Sequence, residues 1–94
     1  MVSNLNHLFT RKTERNLYQI AIYVETIKKA NYLFVDKKYE EAIGYYTVAS
    51  RFGQSTQVVA DSIANRSACF ESLKNNVAAL LDCKAALSYG FGKF

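Results

Sequence analysis

The absence of proline from all 94 residues, together with the presence of only four glycines, is the feature that most restricts the fold of this chain. Barrels, sandwiches and disordered linkers need many turn-setting residues of these types. The apolar content of 50% and charged content of 21% are those of an ordinary globular protein, and the length allows one domain. The sequence therefore predicts a single small all-α domain.

Apolar residues recur at steps of three and four in four successive segments, which indicates four helices. The first is predicted near 13–36, with Thr10 or Thr13 as its N-cap, and residues 1–12 as a tail or an extra turn. The second runs to about Phe52, the third begins after Ser55 or Thr56, and the fourth spans about 76–89. The apolar stripes comprise Leu17, Ile20, Val24, Ile27, Ala30 and Phe34; Tyr39, Ala42, Ile43, Tyr46 and Ala49; Val58, Val59, Ile63, Ala64, Cys69, Phe70 and Leu73; and Ala79, Leu80, Cys83, Ala86 and Leu87.

An internal repeat with an offset of 37 positions places Ala42 over Ala79 and Ala49 over Ala86. Small residues at these positions allow the two helices of a hairpin to approach to about 8 Å. The repeat predicts two like hairpins at 13–53 and 54–89, followed by a tail at 90–94 that leads toward a missing helix. Both cysteines, Cys69 and Cys83, are predicted to be small core residues.

The stretch from Lys28 to Ser50, KKANYLFVDKKYEEAIGYYTVAS, resembles a tetratricopeptide repeat (TPR), a helix–turn–helix unit of 34 residues. Asn65 to Leu87 resembles a second unit, and its NRSA start and LLDCKAAL end are the most specific pieces. The resemblance implies antiparallel helix–turn–helix hairpins stacked as a short right-handed α-solenoid.

In the TPR family the first helix of each hairpin lines a concave groove, which holds an extended peptide or a partner helix. The resemblance therefore implies a non-catalytic protein–protein interaction module, an adaptor or scaffold within a larger protein or assembly, without catalytic residues, cofactor or metal. The implied peptide-groove residues are Ile27, Asn31, Val35, Asp61, Ala64, Asn65, Ala68 and Glu71.

A four-helix bundle unrelated to repeats stays open as an alternative fold, and two alternatives stay open for the function. Asn31 and Asn65 fall on the two asparagine positions of the carboxylate clamp with which co-chaperone members of the family bind an EEVD tail, although Ile27 occupies the place of the first lysine. Alternatively, the chain is a scaffold that self-associates or docks nucleic acid through its basic first helix, consistent with the net charge of +4. The phosphate contacts would be Arg11, Lys12, Arg15, Lys28 and Lys29.

A C-terminal apolar patch is predicted because the last helix carries an apolar stripe with no further helix to cover it. Three occupants are considered: a second copy, which gives a homodimer through the C-terminal helix; a partner helix; or the next helix of a longer chain. The patch comprises Leu80, Cys83, Leu87, Tyr89, Phe91 and Phe94.

Enzymatic and membrane classes are disfavoured. Two cysteines and a single histidine, His7, fall short of the four ligands of a structural zinc site. Asp82 is expected to bond locally. No apolar run reaches the ~20 residues needed to cross a bilayer, and the N-terminus lacks the order of a signal peptide. The predicted location is the cytoplasm, with the nucleus as the alternative, and nucleic acid is not the favoured partner.

Overall fold

The computed structural model describes residues 2–52 and 55–92, with side chains from residue 16 onward. Its described residues form four α-helices and no strand: α1 (Val2–Val35), α2 (Tyr39–Arg51), α3 (Thr56–Ser72) and α4 (Asn76–Ser88). The boundary between the predicted hairpins, at residues 53 and 54, lies outside the described residues. The all-α prediction is confirmed.

Helix α1 begins much earlier than the sequence predicted. It contains 34 residues and starts at Val2, so residues 2–12 continue the helix, where a tail or an extra turn had been expected. Thr10 and Thr13 lie inside it, and their prediction as N-caps is wrong. The pattern was misleading because Ser, Thr and Asn side chains are frequent at helix starts but are also tolerated along an exposed helix.

Consecutive helices pack against each other, α1 on α2, α2 on α3 and α3 on α4. The core cluster joins α1, α2 and α3, and half-buried Ile27, Phe34, Tyr39 and Ile43 pack around it. Ala30 and Ala42 are fully buried there, as their small size favours at a close helix crossing. The cluster consists of Ala30, Leu33, Ala42, Tyr46 and Cys69.

The turn between α1 and α2 is a Schellman motif. The backbone N–H of Lys38 donates to the carbonyl of Leu33 at 2.8 Å, and the N–H of Lys37 donates to the carbonyl of Phe34 at 3.0 Å. Lys37 is left-handed, with φ 62°, at the C′ position where glycine is usual. This turn reverses the chain so that α2 runs back along α1.

The turn between α3 and α4 repeats this geometry 37 residues later. The N–H of Asn75 donates to the carbonyl of Phe70 at 2.9 Å, and Lys74 has φ 61°. The last helix ends in the same way, with Gly90 at φ 97° and the N–H of Phe91 donating to the carbonyl of Ala86 at 3.0 Å. The α1–α2 and α3–α4 turns are therefore equivalent in structure and lie 37 residues apart, the same offset as the sequence repeat.

The helix starts differ in their caps. Ser55 begins α3 by accepting a hydrogen bond from the N–H of Val58 at 3.2 Å, and Asn75 begins α4 by accepting from the N–H of Ala78 at 3.3 Å. Lys38, the counterpart of Asn75, makes no side-chain cap at the start of α2. Glu40 and Glu41 lie in the first turn of α2 instead, where negative charge interacts favourably with the helix dipole.

Some side chains of the predicted apolar stripes are exposed to solvent. Leu17, Ile20 and Val24 on α1 are exposed, because α2 has 13 residues and covers only the C-terminal part of the 34-residue α1. Cys83 is also exposed, so its prediction as a core residue is wrong. It lies on a face of α4 against which no described element packs.

Candidate functional site

The predicted groove residues of α1 follow one another at intervals of four, which places them on one side of the helix. Asn31 and Val35 are exposed, with Val35 80% exposed, whereas Ile27 is half-buried against the core cluster. The side chains of this row thus become more exposed toward the C-terminal end of α1, from half-buried Ile27 to exposed Val35.

The predicted groove residues of α3 also lie within one side of their helix. Asn65 and Glu71 are exposed, and Asp61, Ala64 and Ala68 are half-buried. The Oδ1 of Asp61 accepts a hydrogen bond from Nε2 of Gln57 at 2.8 Å. The side therefore combines amide and carboxylate groups with small apolar ones.

Asn31 is tied to the core by Tyr46. The Tyr46 hydroxyl donates to Oδ1 of Asn31 at 2.5 Å, which links α1 to α2. Burial raises the pKa of Tyr46 to about 12, with the neighbouring Cys69 thiol a smaller cause, so the hydroxyl stays protonated and able to donate. Asn31 consequently has a helix–helix bonding role that requires no ligand.

An ion pair between Arg66 and Asp82 is the main polar feature that the sequence reasoning missed. The Nε and Nη2 atoms of Arg66 donate to the two carboxylate oxygens of Asp82 at 2.8 and 2.7 Å, and Nη1 donates to Oγ1 of Thr47 at 3.1 Å. The bond to Asp82 raises the pKa of Arg66 above its ordinary value. The expectation that Asp82 bonds locally is wrong.

One arginine thereby joins three helices, since Thr47 lies on α2, Arg66 on α3 and Asp82 on α4. Asp82 is only 7% exposed, and a buried carboxylate needs such a partner. The signal available in the sequence was a lone arginine and a lone aspartate on helices predicted to be adjacent.

The C-terminal patch forms part of a groove between α3 and α4. Of the predicted patch residues, Cys83, Leu87 and Phe91 line it, and Leu80 and Tyr89 are exposed but lie outside the lining; Phe94 is outside the described residues. The cavity has a volume of about 360 Å³. We call it the open groove, and its lining residues are Ala64, Asn65, Ser67, Cys83, Ala86, Leu87 and Phe91.

A second cavity, of about 370 Å³, lies between α1 and α2 and was not anticipated from the sequence. Tyr18 and Tyr45 contribute its aromatic walls, and Lys29 lies 5.9 Å from the centre of the nearby Tyr32 ring. The full lining is Tyr18, Ala21, Ile22, Glu25, Thr26, Lys29 and Tyr45.

Of the basic residues considered as phosphate contacts, Lys28 and Lys29 have described side chains. Lys28 pairs with Glu25 at 3.6 Å, and both are exposed. Arg11, Lys12 and Arg15, like His7, have side chains outside the described residues. Within the part of the chain that is described, no group of three or more His, Cys, Asp or Glu side chains could hold a metal ion.

Comparison with known proteins gives no assignment, since no family model, curated protein or solved structure matches the chain. Among the described helices, none combines the length and the apolar character needed to span a bilayer.

Proposed function

We propose that this chain is a non-catalytic, TPR-like interaction module that holds an extended peptide or partner helix along the sides of α1 and α3. The repetition of one hairpin turn at an offset of 37 residues is the observation that carries the proposal. Repeated helical hairpins stack into a short solenoid, and in such an arrangement the first helices of successive hairpins form a concave binding surface. We place the module in the cytoplasm or nucleus, as an adaptor within a larger assembly.

The chemistry of the two helix sides supports a peptide ligand. Asn65 offers an exposed side-chain amide that can both donate to and accept from a peptide backbone. Val35 offers an exposed apolar contact, and Asp61 and Glu71 add negative charge. Extended peptides are recognised by such a combination of backbone hydrogen bonds and side-chain contacts.

Selection from an unbiased peptide library, followed by calorimetric titration of the enriched peptides, tests this function. The groove variant combines Val35→Glu with Asn65→Ala, and the control is Val77→Glu, at a similarly exposed valine of α4. Asn31 is left unchanged because its replacement breaks the bond to Tyr46. We expect the groove variant to lose binding at least tenfold and the control to retain it. The proposal is contradicted if the selection enriches no peptide, or if the groove variant and the control lose peptide binding to the same extent.

The carboxylate-clamp alternative is less well supported. Ile27 stands where the clamp's first lysine is expected, and the bond from Tyr46 to Oδ1 of Asn31 leaves only the Nδ2 donor of that amide for a ligand. Losing the lysine's charge-assisted contact of about 1.5–3 kcal/mol weakens binding by about 10–10². Titration of a labelled EEVD peptide decides it, and the absence of saturable binding at high micromolar concentration ends this alternative.

The nucleic-acid alternative makes a separate prediction. Binding through basic side chains of α1 depends steeply on salt concentration because counterions are released from the phosphates. If the combined charge reversals Lys12→Glu and Arg15→Glu leave the retention of the chain on heparin unchanged, nucleic-acid docking through this helix is excluded.

A further inference from the structure

The open groove between α3 and α4 has a counterpart in the first hairpin, and that counterpart is filled. Moving back by 37 positions, Ser67 corresponds to Ala30, Cys83 to Tyr46 and Ala86 to Ala49. Ala30, Tyr46 and Ala49 are at most 2% exposed. Ser67 and Ala86 are also buried, so the two sites differ at Cys83, which is exposed where Tyr46 is buried.

Helix α3 is the element that fills the site on the first hairpin. Cys69 of α3 is fully buried in the same cluster as Ala30 and Tyr46, and Arg66 of α3 reaches Thr47 of α2. The interface between α3 and the first hairpin thus continues, one repeat further on, as the open groove. At the corresponding place beside the second hairpin, no described element is present.

We infer that the open groove docks an amphipathic helix of a partner protein that repeats the packing face of α3 and carries an acidic residue where α3 has Arg66. The packing face of the partner helix needs small side chains, because the corresponding face of α3 includes the small, fully buried Ser62 and Cys69. The partner helix needs an acidic residue at the place of Arg66, because Thr47, which Arg66 contacts on α2, corresponds in the repeat to Lys84 on α4. A carboxylate at that place pairs with the exposed Lys84, whereas an arginine is repelled.

Helix α1 of a second copy of this chain fits the groove poorly. If α1 of another copy took the place of α3, Tyr32 would stand at the position of Cys69 and Glu25 at the position of Ser62. Both of those positions are fully buried in α3 and hold small side chains, so a tyrosine and a glutamate there are too large, and the glutamate would lose its hydration. Lys29 would then face Lys84, and like charges repel.

The test uses two labelled peptides derived from residues 55–73, both with Cys69→Ala to prevent disulfide formation. One retains Arg66 and the other carries Arg66→Glu. Fluorescence anisotropy with the 94-residue chain is expected to show saturable binding, with the Arg66→Glu peptide bound about two- to fivefold more tightly, the range of an exposed ion pair. The chain variant Lys84→Glu should reverse this order.

Two matched variants locate the binding site. Leu87→Gln changes a groove residue that is 61% exposed, and Leu81→Gln changes a residue of the same helix that is 62% exposed and lies outside the groove. Because both leucines are exposed, neither change is expected to unfold the chain, which circular dichroism checks. Leu87→Gln should weaken peptide binding at least fivefold and Leu81→Gln should not.

Three results overturn the inference. They are the absence of saturable binding of either peptide, binding that is insensitive to Leu87→Gln, and a concentration-dependent dimer in sedimentation equilibrium that Leu87→Gln dissociates, which would make a second copy the occupant. The inference uses the repeat, and the open groove shares Ala64 and Asn65 with the peptide groove along α1 and α3. Leu87 belongs to the open groove alone and Val35 to the peptide groove alone, so the single variants Leu87→Gln and Val35→Glu test the two proposals separately.

Discussion

At the residue scale, the interior of this small domain contains more polar atoms than its apolar stripes suggest. Tyr46 and Cys69 are 2% and 0% exposed and lie in one cluster, and Ser62 is fully buried. Tyr46 has a partner in Asn31, but the Ser62 hydroxyl has none among the described residues. Buried polar groups cost free energy when they lack partners, so these residues give the most direct stability predictions.

Replacement of Ser62 by alanine is expected to stabilise the chain. The buried hydroxyl bonds to no group in the described part of the folded chain, and its removal should raise the free energy of unfolding by about 1 kcal/mol. Ser67→Ala is the matched control on the same helix, because the Ser67 hydroxyl donates to the Ala64 carbonyl at 2.6 Å. Urea denaturation measures both; a loss of stability in Ser62→Ala contradicts the prediction.

Alkaline pH is expected to destabilise the fold through Tyr46 and Cys69. Burial raises the pKa of the Tyr46 hydroxyl from 10.0 to about 12 and that of the Cys69 thiol from 9.0 to about 11. Since the folded chain holds these protons more tightly than the unfolded chain, stability is fully present below about pH 9 and falls as the pH rises through 11 and 12.

Urea midpoints measured across this pH range test the effect. The double variant Tyr46→Phe with Cys69→Ala should show a shallower decline than the unmodified chain, whereas Cys83→Ala, at the exposed cysteine, should leave the decline unchanged. Equal slopes in all three proteins would show that other groups cause the alkaline loss.

At the element scale, the helices are well defined but two of their ends are not optimal. Lys37 and Lys74 occupy the left-handed C′ positions of two Schellman motifs, while Gly90 occupies the third. A side chain with a Cβ atom is strained in this conformation, and glycine is not. The repeated lysines therefore keep the turn geometry at a cost in stability.

Lys37→Gly and Lys74→Gly are each expected to stabilise the chain by about 0.5 kcal/mol. The relief of left-handed strain is worth about 1 kcal/mol, and the greater entropy of glycine in the unfolded chain offsets part of it. Lys28→Gly, within α1 and away from any turn, should instead destabilise by about 1 kcal/mol. Thermal denaturation distinguishes the two directions, and destabilisation by Lys37→Gly would mean that the lysine side chain is needed at the turn.

At the scale of the whole molecule, the fold is elongated, with extents of 59 × 27 × 19 Å. Each helix packs mainly on its neighbours in sequence. Interactions between helices that are not neighbours therefore depend on side chains that contact more than one other helix. Arg66 is such a group, because it bonds to both Thr47 and Asp82. Its side chain is 24% exposed and that of Asp82 is 9% exposed, so solvent screens the pair only in part.

A double-mutant cycle on Arg66→Met and Asp82→Leu is expected to show strong coupling. Each single change leaves a partly buried charge without its partner and should cost about 1.5–3 kcal/mol, while the double variant should cost less than the sum by at least about 1 kcal/mol. The exposed pair Glu25 and Lys28, at 3.6 Å, provides the control cycle, with coupling of about 0.5 kcal/mol or less. Additive costs for Arg66 and Asp82 contradict this account.

The sequence alone determined the number and order of the helices, but not where α1 begins. The absence of proline and the steps of three and four residues between apolar positions specify four helices, because these signals are local and report the face that a helix would bury. The offset of 37 also identified equivalent positions, including the pair Ala30 and Ser67, both of which are buried. Of the candidate site, the sequence indicated the patch residues Cys83, Leu87 and Phe91, but not the groove that they line.

The tertiary structure decided which of those faces are covered and which polar groups meet. Leu17 and Cys83 fit an apolar stripe, yet both are exposed, because periodicity cannot report whether another element lies opposite. The contact between Arg66 and Asp82 likewise depends on how α3 and α4 are aligned. Burial and ion pairing are properties of two segments that are distant in sequence, and each segment's own pattern contains only half of that information.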